Sequence, residues 1–126
     1  MSAVLRGASP VAFLATADPT RARVFYEDTL GLPFLGDNGV ALVFDLAGTP
    51  LRVTRVDALR PQPFTVLGWR VDDVEAAVGV LTDRGVVFER YPGLEQDALG
   101  IWLARSGARI AWFKDPDGNV LSISQD

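Results

Sequence analysis

Chemistry in this chain has to come from carboxylates, hydroxyls, guanidinium groups and rings, because the two most versatile catalytic side chains are missing. There is no cysteine and no histidine in the 126 residues. Without cysteine there is no thiol nucleophile, disulfide framework, iron–sulfur cluster or zinc ribbon. Without histidine there is no Ser-His-Asp triad, no imidazole acid–base and no His-bearing metal site. What remains is a single lysine (Lys114), eleven arginines, two tyrosines and the acids and hydroxyls. Carboxylates can act as general acids and bases. Arginine reads carboxylate or phosphate through a planar fork and stacks on rings, and aromatic side chains offer flat contact area.

The composition narrows this further. Apolar residues make up 48% of the chain, and 12 basic against 16 acidic residues give a net charge of −4. A chain of this size forms one domain, or one domain built from two small halves, and buries roughly two thirds of its unfolded surface without a disulfide or metal. The acidic balance and the scattered arginines argue against nucleic acid as a partner. No apolar run approaches the roughly 20 residues of a membrane span. Arg6, Val11 to Leu14 and Ala15-Thr16-Ala17 loosely imitate a signal peptide. The apolar stretch is short, though, follows Pro10, and serves better as a strand, so a cytoplasmic location is expected.

The elements that must position these groups can be read from spacing. Val11 to Ala17 suits a buried strand. Asp18-Pro19 starts a helix by capping it and by placing a ring where no N–H is needed. Ala22, Phe25, Tyr26 and Thr29 then share one helix face, and Gly31 with Pro33 ends it. Extended segments follow at Phe34 to Gly36, Val40 to Leu46 and Leu51 to Val56, with turns expected at Asn38-Gly39 and Gly48-Thr49-Pro50. Residues 57–63, with two prolines, read as a linker.

The plan then repeats. Val66 to Val71 is a strand, and Asp72-Asp73 opens a helix whose Val74, Ala77, Val78 and Leu81 share a face. Gly85 ends that helix. Val86 to Arg90 reads as extended, residues 91–100 as irregular, and Ile101 to Ala104 as a further extended candidate. Arg109 to Lys114 and Asn119 to Ser124 are strands about an Asp115-Pro116-Asp117-Gly118 turn. At an offset of 54, Asp18, Ala22, Val24, Gly31 and Phe34 fall on Asp72, Ala76, Val78, Gly85 and Phe88. The expected fold is therefore α+β, two βαβββ modules in one domain, with module one near residues 10–56 and module two near 64–126. Neither half has core enough to stand alone.

Asp18, Phe25-Tyr26 and Leu30-Gly31-Leu32, a second strand and helix, and then Trp112-Phe113-Lys114-Asp115-Pro116-Asp117-Gly118-Asn119 together resemble the vicinal oxygen chelate superfamily. Its members include glyoxalase I, bleomycin- and fosfomycin-resistance proteins and extradiol dioxygenases. The resemblance spans about Pro10 to Ser124 and implies curved mixed sheets forming a cup. It also implies where a divalent ion would be held: on the first strand and the last strand of each module. Those positions are Val11, Arg52, Val66 and Ser122, with Val53 as the alternative to Arg52 if the register slips by one residue. Two valines, a cation and a serine make a poor ligand set. The resemblance is accordingly to a metal-free branch, with no cofactor, no metal ligand and no catalytic residue assigned.

Alternation along strands then sets the inner face implied by those positions. Phe13 and Ala15 go with Val11, Gly68 and Arg70 with Val66, Val120 and Ser124 with Ser122, and Thr54 with Arg52. The face occupied by Trp112 is left open by sequence. Trp102 and Tyr91 border the irregular stretch, which forms a rim in the family. The candidate ligand-binding residues are Phe13, Arg52, Arg70, Trp102, Trp112 and Ser122. Trp69, Phe25 and Tyr26 are expected in the core, and the acids of the Asp115–Gly118 turn in local turn geometry. Surface ion pairs are the plain alternative for Arg52 and Arg70.

The expected function is metal-free binding of a small molecule, an aromatic or anionic natural product, in a homodimeric protein. Two alternatives stand beside it. One is an enzyme (a lyase, an isomerase or dioxygenase-like) using a non-standard metal or a rim carboxylate such as Glu89 or Glu95, with Arg52 stabilising an oxyanion. The other is a protein-interaction module.

Overall fold

The computed structural model describes residues 3–126, and the chain divides into two compact units between Leu59 and Arg60. In the first, the apolar run forms strand β1 (Ala12–Thr16) and ends at a compact cap. The buried Thr16 accepts the Asp18 N–H through Oγ1 at 3.0 Å, and Asp18 Oδ1 accepts the Arg21 N–H at 3.2 Å. Helix α1 (Pro19–Arg23) follows and runs on as a π-helical turn over Val24–Thr29. Strands β2 (Phe34–Asp37), β3 (Ala41–Leu46) and β4 (Thr49–Arg55) complete a four-stranded sheet of order β1-β4-β3-β2. β1 runs parallel to β4, and the other pairs are antiparallel.

The second unit has the same topology. Strand β5 (Thr65–Arg70), helix α2 (Val74–Asp83), and strands β6 (Trp102–Leu103), β7 (Arg109–Lys114) and β8 (Val120–Gln125) give the order β5-β8-β7-β6, with β5 parallel to β8. The architecture is α+β, two similar modules, each an unclosed mixed sheet. In each, the pleat sends alternate residues to the helix side. Leu14, Leu42, Phe44, Leu51 and Val53 are buried with Ala22 and Tyr26 in the first module, where the Tyr26 and Phe44 rings lie 5.6 Å apart. Ala111, Phe113, Leu121 and Ile123 are buried with Val74, Val78 and Leu81 in the second. The α2 N-terminus is tied to the sheet as well, for the Val74 N–H donates to Gln125 Oε1 at 2.9 Å.

Four local features depart from the sequence expectation. The cap of α2 is Asp73, not Asp72: its Oδ1 accepts the Ala76 N–H at 3.0 Å. The repeat therefore runs at an offset of 55 up to the caps and 54 at Gly31 and Gly85. The difference is the π turn, in which the Leu30 N–H reaches back five residues to the Phe25 carbonyl at 2.9 Å and so absorbs one extra residue.

Val86 to Arg90 forms no strand. β6 pairs with the edge of β7 at Arg109 and Ile110. Glu89 keeps a single bond of that kind, its N–H donating to the Trp112 carbonyl at 2.8 Å.

The β3–β4 hairpin turns one residue earlier than expected, at Ala47-Gly48, so Thr49 and Pro50 belong to β4, opposite Leu46 and Asp45. Both turn residues have positive φ, 52° and 103°, as a hairpin turn matched to strand twist requires. The fourth departure is a register shift between Thr65 and Leu67, which makes Val66 the extra residue of a bulge.

The Asp115–Gly118 turn forms as expected. Asp115 is buried and accepts the Asp117 and Asn119 N–H groups through Oδ1 and the Asn119 amide through Oδ2, at 3.0, 2.9 and 2.8 Å. Its carboxylate is thereby committed to the turn.

Ala47 carries the cost of a left-handed backbone without being glycine. Ala47→Asn should raise stability, by up to about 1 kcal/mol in a denaturant titration, because asparagine tolerates that conformation better.

The Arg55–Asp37 pair, bidentate across the sheet, holds the Asp37 carboxyl down to about 2, chiefly through the Arg55 hydrogen bonds and then the Gly39 N–H. A depressed carboxyl contributes stability above its unfolded value near 3.9 and loses it as pH falls through the folded value. Between pH 4 and 2 the melting temperature should therefore fall more steeply in the wild type than in Asp37→Asn.

Candidate functional site

With the helix on one side of each sheet, the side chains of the opposite register stand on the other. On the second sheet, the ladder puts Gly68, Ser122 and Trp112 in one row across β5, β8 and β7. The next row is Arg70, Ser124, Ile110 and Trp102. This fixes the face of Trp112, which spacing alone left open: it stands beside Ser122, not in the core. Gly68 has no side chain, and a Cβ there would lie 2.4 Å from Ser122 Oγ. The serine hydroxyl therefore leans over the glycine, and the three small residues Gly68, Ser122 and Ser124 leave a low floor beside the Trp112 ring.

Aromatic groups gather round that ring. Trp102 lies 6.0 Å from Trp112, tilted by 33°, and Tyr91 lies 5.5 Å away, edge-on at 78°. Tyr91 comes from the irregular segment, in which Gln96 makes three of the holding bonds. Gln96 accepts the Tyr91 N–H through Oε1 at 2.8 Å and donates through Nε2 to the carbonyls of Glu89 and Gly100 at 2.9 and 2.8 Å. Asp97 accepts the N–H groups of Leu99 and Ile101, so this acid is spent on the loop. Lys114, two residues beyond Trp112 on the same side of β7, pairs with Glu89 at 3.2 Å. The Tyr91 phenol is pushed above its usual range, first by burial and then by the Glu89 charge, with Lys114 opposing.

Of the six residues expected from sequence, Trp102, Trp112 and Ser122 come together here. Arg70 shares the face but is largely exposed, and its guanidinium pairs with Asp126 at 3.1 Å, the plain surface alternative. Phe13 and Arg52 lie on the corresponding face of the first sheet, where they are direct neighbours across β1 and β4. Phe13 is 61% exposed, and the Arg52 guanidinium carbon is 5.8 Å from its ring centre. Arg52 makes no ion pair among the described residues.

The resemblance implies metal positions at Val11, Arg52 (or Val53), Val66 and Ser122. Arg52 lies opposite Phe13 just as Ser122 lies opposite Gly68, whereas Val53 is fully buried. Val11 and Val66 are 39% and 42% exposed. Two hydrocarbon side chains, a guanidinium and a lone hydroxyl do not suit a divalent cation. Among the described residues, no group of three or more His, Cys, Asp or Glu side chains could hold a metal ion either.

Sequence spacing missed Tyr91, Glu89 and Lys114 as members of one cluster. Two of them lie on a segment without periodicity, which the bond from the Glu89 N–H to the Trp112 carbonyl ties to β7 and the Gln96 hydrogen bonds hold in shape. No helix among the described residues is long and apolar enough to cross a membrane.

The chain belongs to the Glyoxalase/Bleomycin resistance protein/Dioxygenase superfamily, which it matches over residues 8–123. No curated protein matches it by sequence. Among solved structures it is similar to a member of that superfamily from Sphaerobacter thermophilus, at 24% identity and a TM-score of 0.74, covering 97% of this chain and 99% of that one. It is similar also to lactoylglutathione lyase from Agrobacterium tumefaciens, at 19% identity and a TM-score of 0.71, over 95% of each chain. A third is TnmS3, an antibiotic binding protein from a Streptomyces species, at 29% identity and a TM-score of 0.66, covering 94% of this chain and 97% of that one.

The cluster has a spectroscopic test. In a pH titration of phenolate absorbance, with Tyr91→Phe as the blank, Tyr91 should ionise above the ordinary tyrosine value. Removing the opposing cation in Lys114→Met should raise it further, and removing the like charge in Glu89→Gln should lower it.

Proposed function

We propose that this protein binds a flat aromatic small molecule without a metal ion and holds it against the Trp112 ring. The carrying observation is the open face of the second sheet, where a half-buried tryptophan flanked by Tyr91 and Trp102 borders a floor of Gly68, Ser122 and Ser124. Offset or edge-on ring contacts favour a planar guest. The hydroxyls and Arg70 supply polar contacts at its edge, and Phe13 with Arg52 sets a ring beside a guanidinium on the first sheet. The replaced metal positions support a binding role over the metal chemistry of the superfamily. The likeness to an antibiotic binding protein supports sequestration of a natural product as that role. The same reading has the protein working as a homodimer, which rests on the family resemblance, and in the cytoplasm, which rests on reading Val11 to Leu14 as a strand.

An acid–base enzyme is the second reading, and Glu89 is the observation that favours it, since this carboxylate stands beside Tyr91 near the open face. Its pairing with Lys114 weighs against a free base.

Titration with a panel of flat aromatic natural products, followed by tryptophan fluorescence, tests the binding reading. Saturable quenching is expected with at least one compound, unchanged by a chelator. It should be weakened about thirtyfold in Trp112→Ala, a loss of about 2 kcal/mol typical of a central aromatic anchor. In Trp69→Phe, altered on the helix side, binding should persist. Thermal stabilisation by a divalent metal and by no organic compound would overturn the proposal.

A further inference from the structure

A separate hollow of about 280 Å³ lies on the helix side of the second module, between the last turns of α2 and the returning loop. Its walls are Val78, Val86, Phe88 and Leu99, and its rim carries Val87 and Arg90. It exists because Val86 to Arg90 does not join the sheet. Gly85, at φ 92°, turns the chain back, and the Val86 N–H returns to the Leu81 carbonyl at 3.0 Å. Gly100 closes the far side, where a Cβ would come within 3.3 Å of Phe88 Cβ. The volume is nearly twice the roughly 150 Å³ of an apolar cavity that accepts benzene. Val87 and Leu99 are 77% and 43% exposed, so apolar surface at the rim is left in water.

The charge of the lining is one-sided. Among the described residues, Arg90 is its only ionisable group and no carboxylate lines it, in a protein whose net charge is −4. Arg90 spends Nη2 on the Ala98 carbonyl at 2.9 Å and Nη1 on the Gln96 carbonyl at 3.5 Å. These bonds fix the guanidinium at the mouth and leave N–H groups over, because arginine carries five donors. A second hollow of similar size, in the first module, contrasts with it. There Arg55 is already on Asp37, and Arg23 is on Glu27 and over the Phe34 ring.

We propose that the α2–loop hollow is a second binding site, for a small hydrophobic carboxylic acid, with the apolar body inside and the carboxylate on Arg90. A guanidinium–carboxylate contact at the edge of an apolar pocket is charge-assisted and bidentate, and the walls take the hydrocarbon.

Amide NMR spectra of the full chain, titrated with sodium octanoate and in parallel with sodium 4-ethylbenzoate, test this and report whether alkyl or aryl acids fit better. Either acid should give saturable shifts at Val78, Val86, Phe88, Leu99 and Gly100. Octan-1-ol should bind about tenfold more weakly for want of the charge pair, and octylammonium should give no saturable shift. Arg90→Gln should lose the preference for the acid over the alcohol. Since Arg90 also holds the loop, Leu99→Ser, a rim change that leaves Arg90 in place, should weaken acid and alcohol alike. Shifts by neither acid, shifts equal for octylammonium, or shifts confined to the Trp112 face would each overturn the proposal. Binding of flat aromatics at Trp112 is read out at different residues, so the two proposals stand or fall separately.

Discussion

Phe113, Leu121 and Ile123 are pressed between the second sheet and helix α2, and the period of two along a strand turns that apolar contact into a rule for the opposite face. Each residue driven toward the helix forces its neighbours outward. Ile123 in the core leaves Ser122 and Ser124 on the other side, and Phe113 leaves Trp112 and Lys114 there. The first sheet obeys the same rule, with Leu51 and Val53 inside and Arg52 outside. The candidate site is in this sense the complement of the core, and its geometry is as firm as the packing that excludes water behind it.

A face built this way, in a chain without histidine or cysteine, has limited chemistry. The acids of the Asp115 turn and Asp97 are committed to backbone donors. The cations near the open faces are mostly matched with acids, as in Arg70–Asp126 and Lys114–Glu89. Such exposed pairs contribute about 0–1 kcal/mol each, so an incoming polar group can exchange with one partner at little cost. This is a surface suited to holding a molecule by ring contact and edge polarity rather than to transforming it.

Much of this was legible in the sequence, and the parts that were share a physical basis. Asp18, Gly31 and Gly85, and the Asp115–Asn119 turn each have a local cause in a cap, left-handed glycines and side chain to backbone bonds, and local causes leave local signatures. That Phe13 shares a face with Arg52, and Gly68 with Ser122, followed from alternation once one position per strand was placed. What escaped was decided by contacts distant in sequence. Val86 to Arg90 has strand-like residues but makes one ladder-like bond to β7, through Glu89, while the two-residue β6, with almost no signal of its own, pairs farther along the same edge. The face of Trp112 depended on its register against Ser122, and the place of Tyr91 depended on the three hydrogen bonds of Gln96. The hairpin at Ala47-Gly48 was misplaced by one residue because alanine gives no hint of a positive φ.

The π turn in the first helix bears on how the two halves differ in length. One residue more or fewer between cap and terminal glycine would ordinarily rotate everything beyond it by about a third of a turn. Here the surplus is confined to one wider loop of backbone, so the strand before and the glycine after both keep their places. A change in chain length has been stored as pitch instead of being passed on as a rotation of the helix face. The two modules therefore share an architecture while no single spacing relates their sequences, and a comparison made at constant offset reads the repeat as fainter than it is.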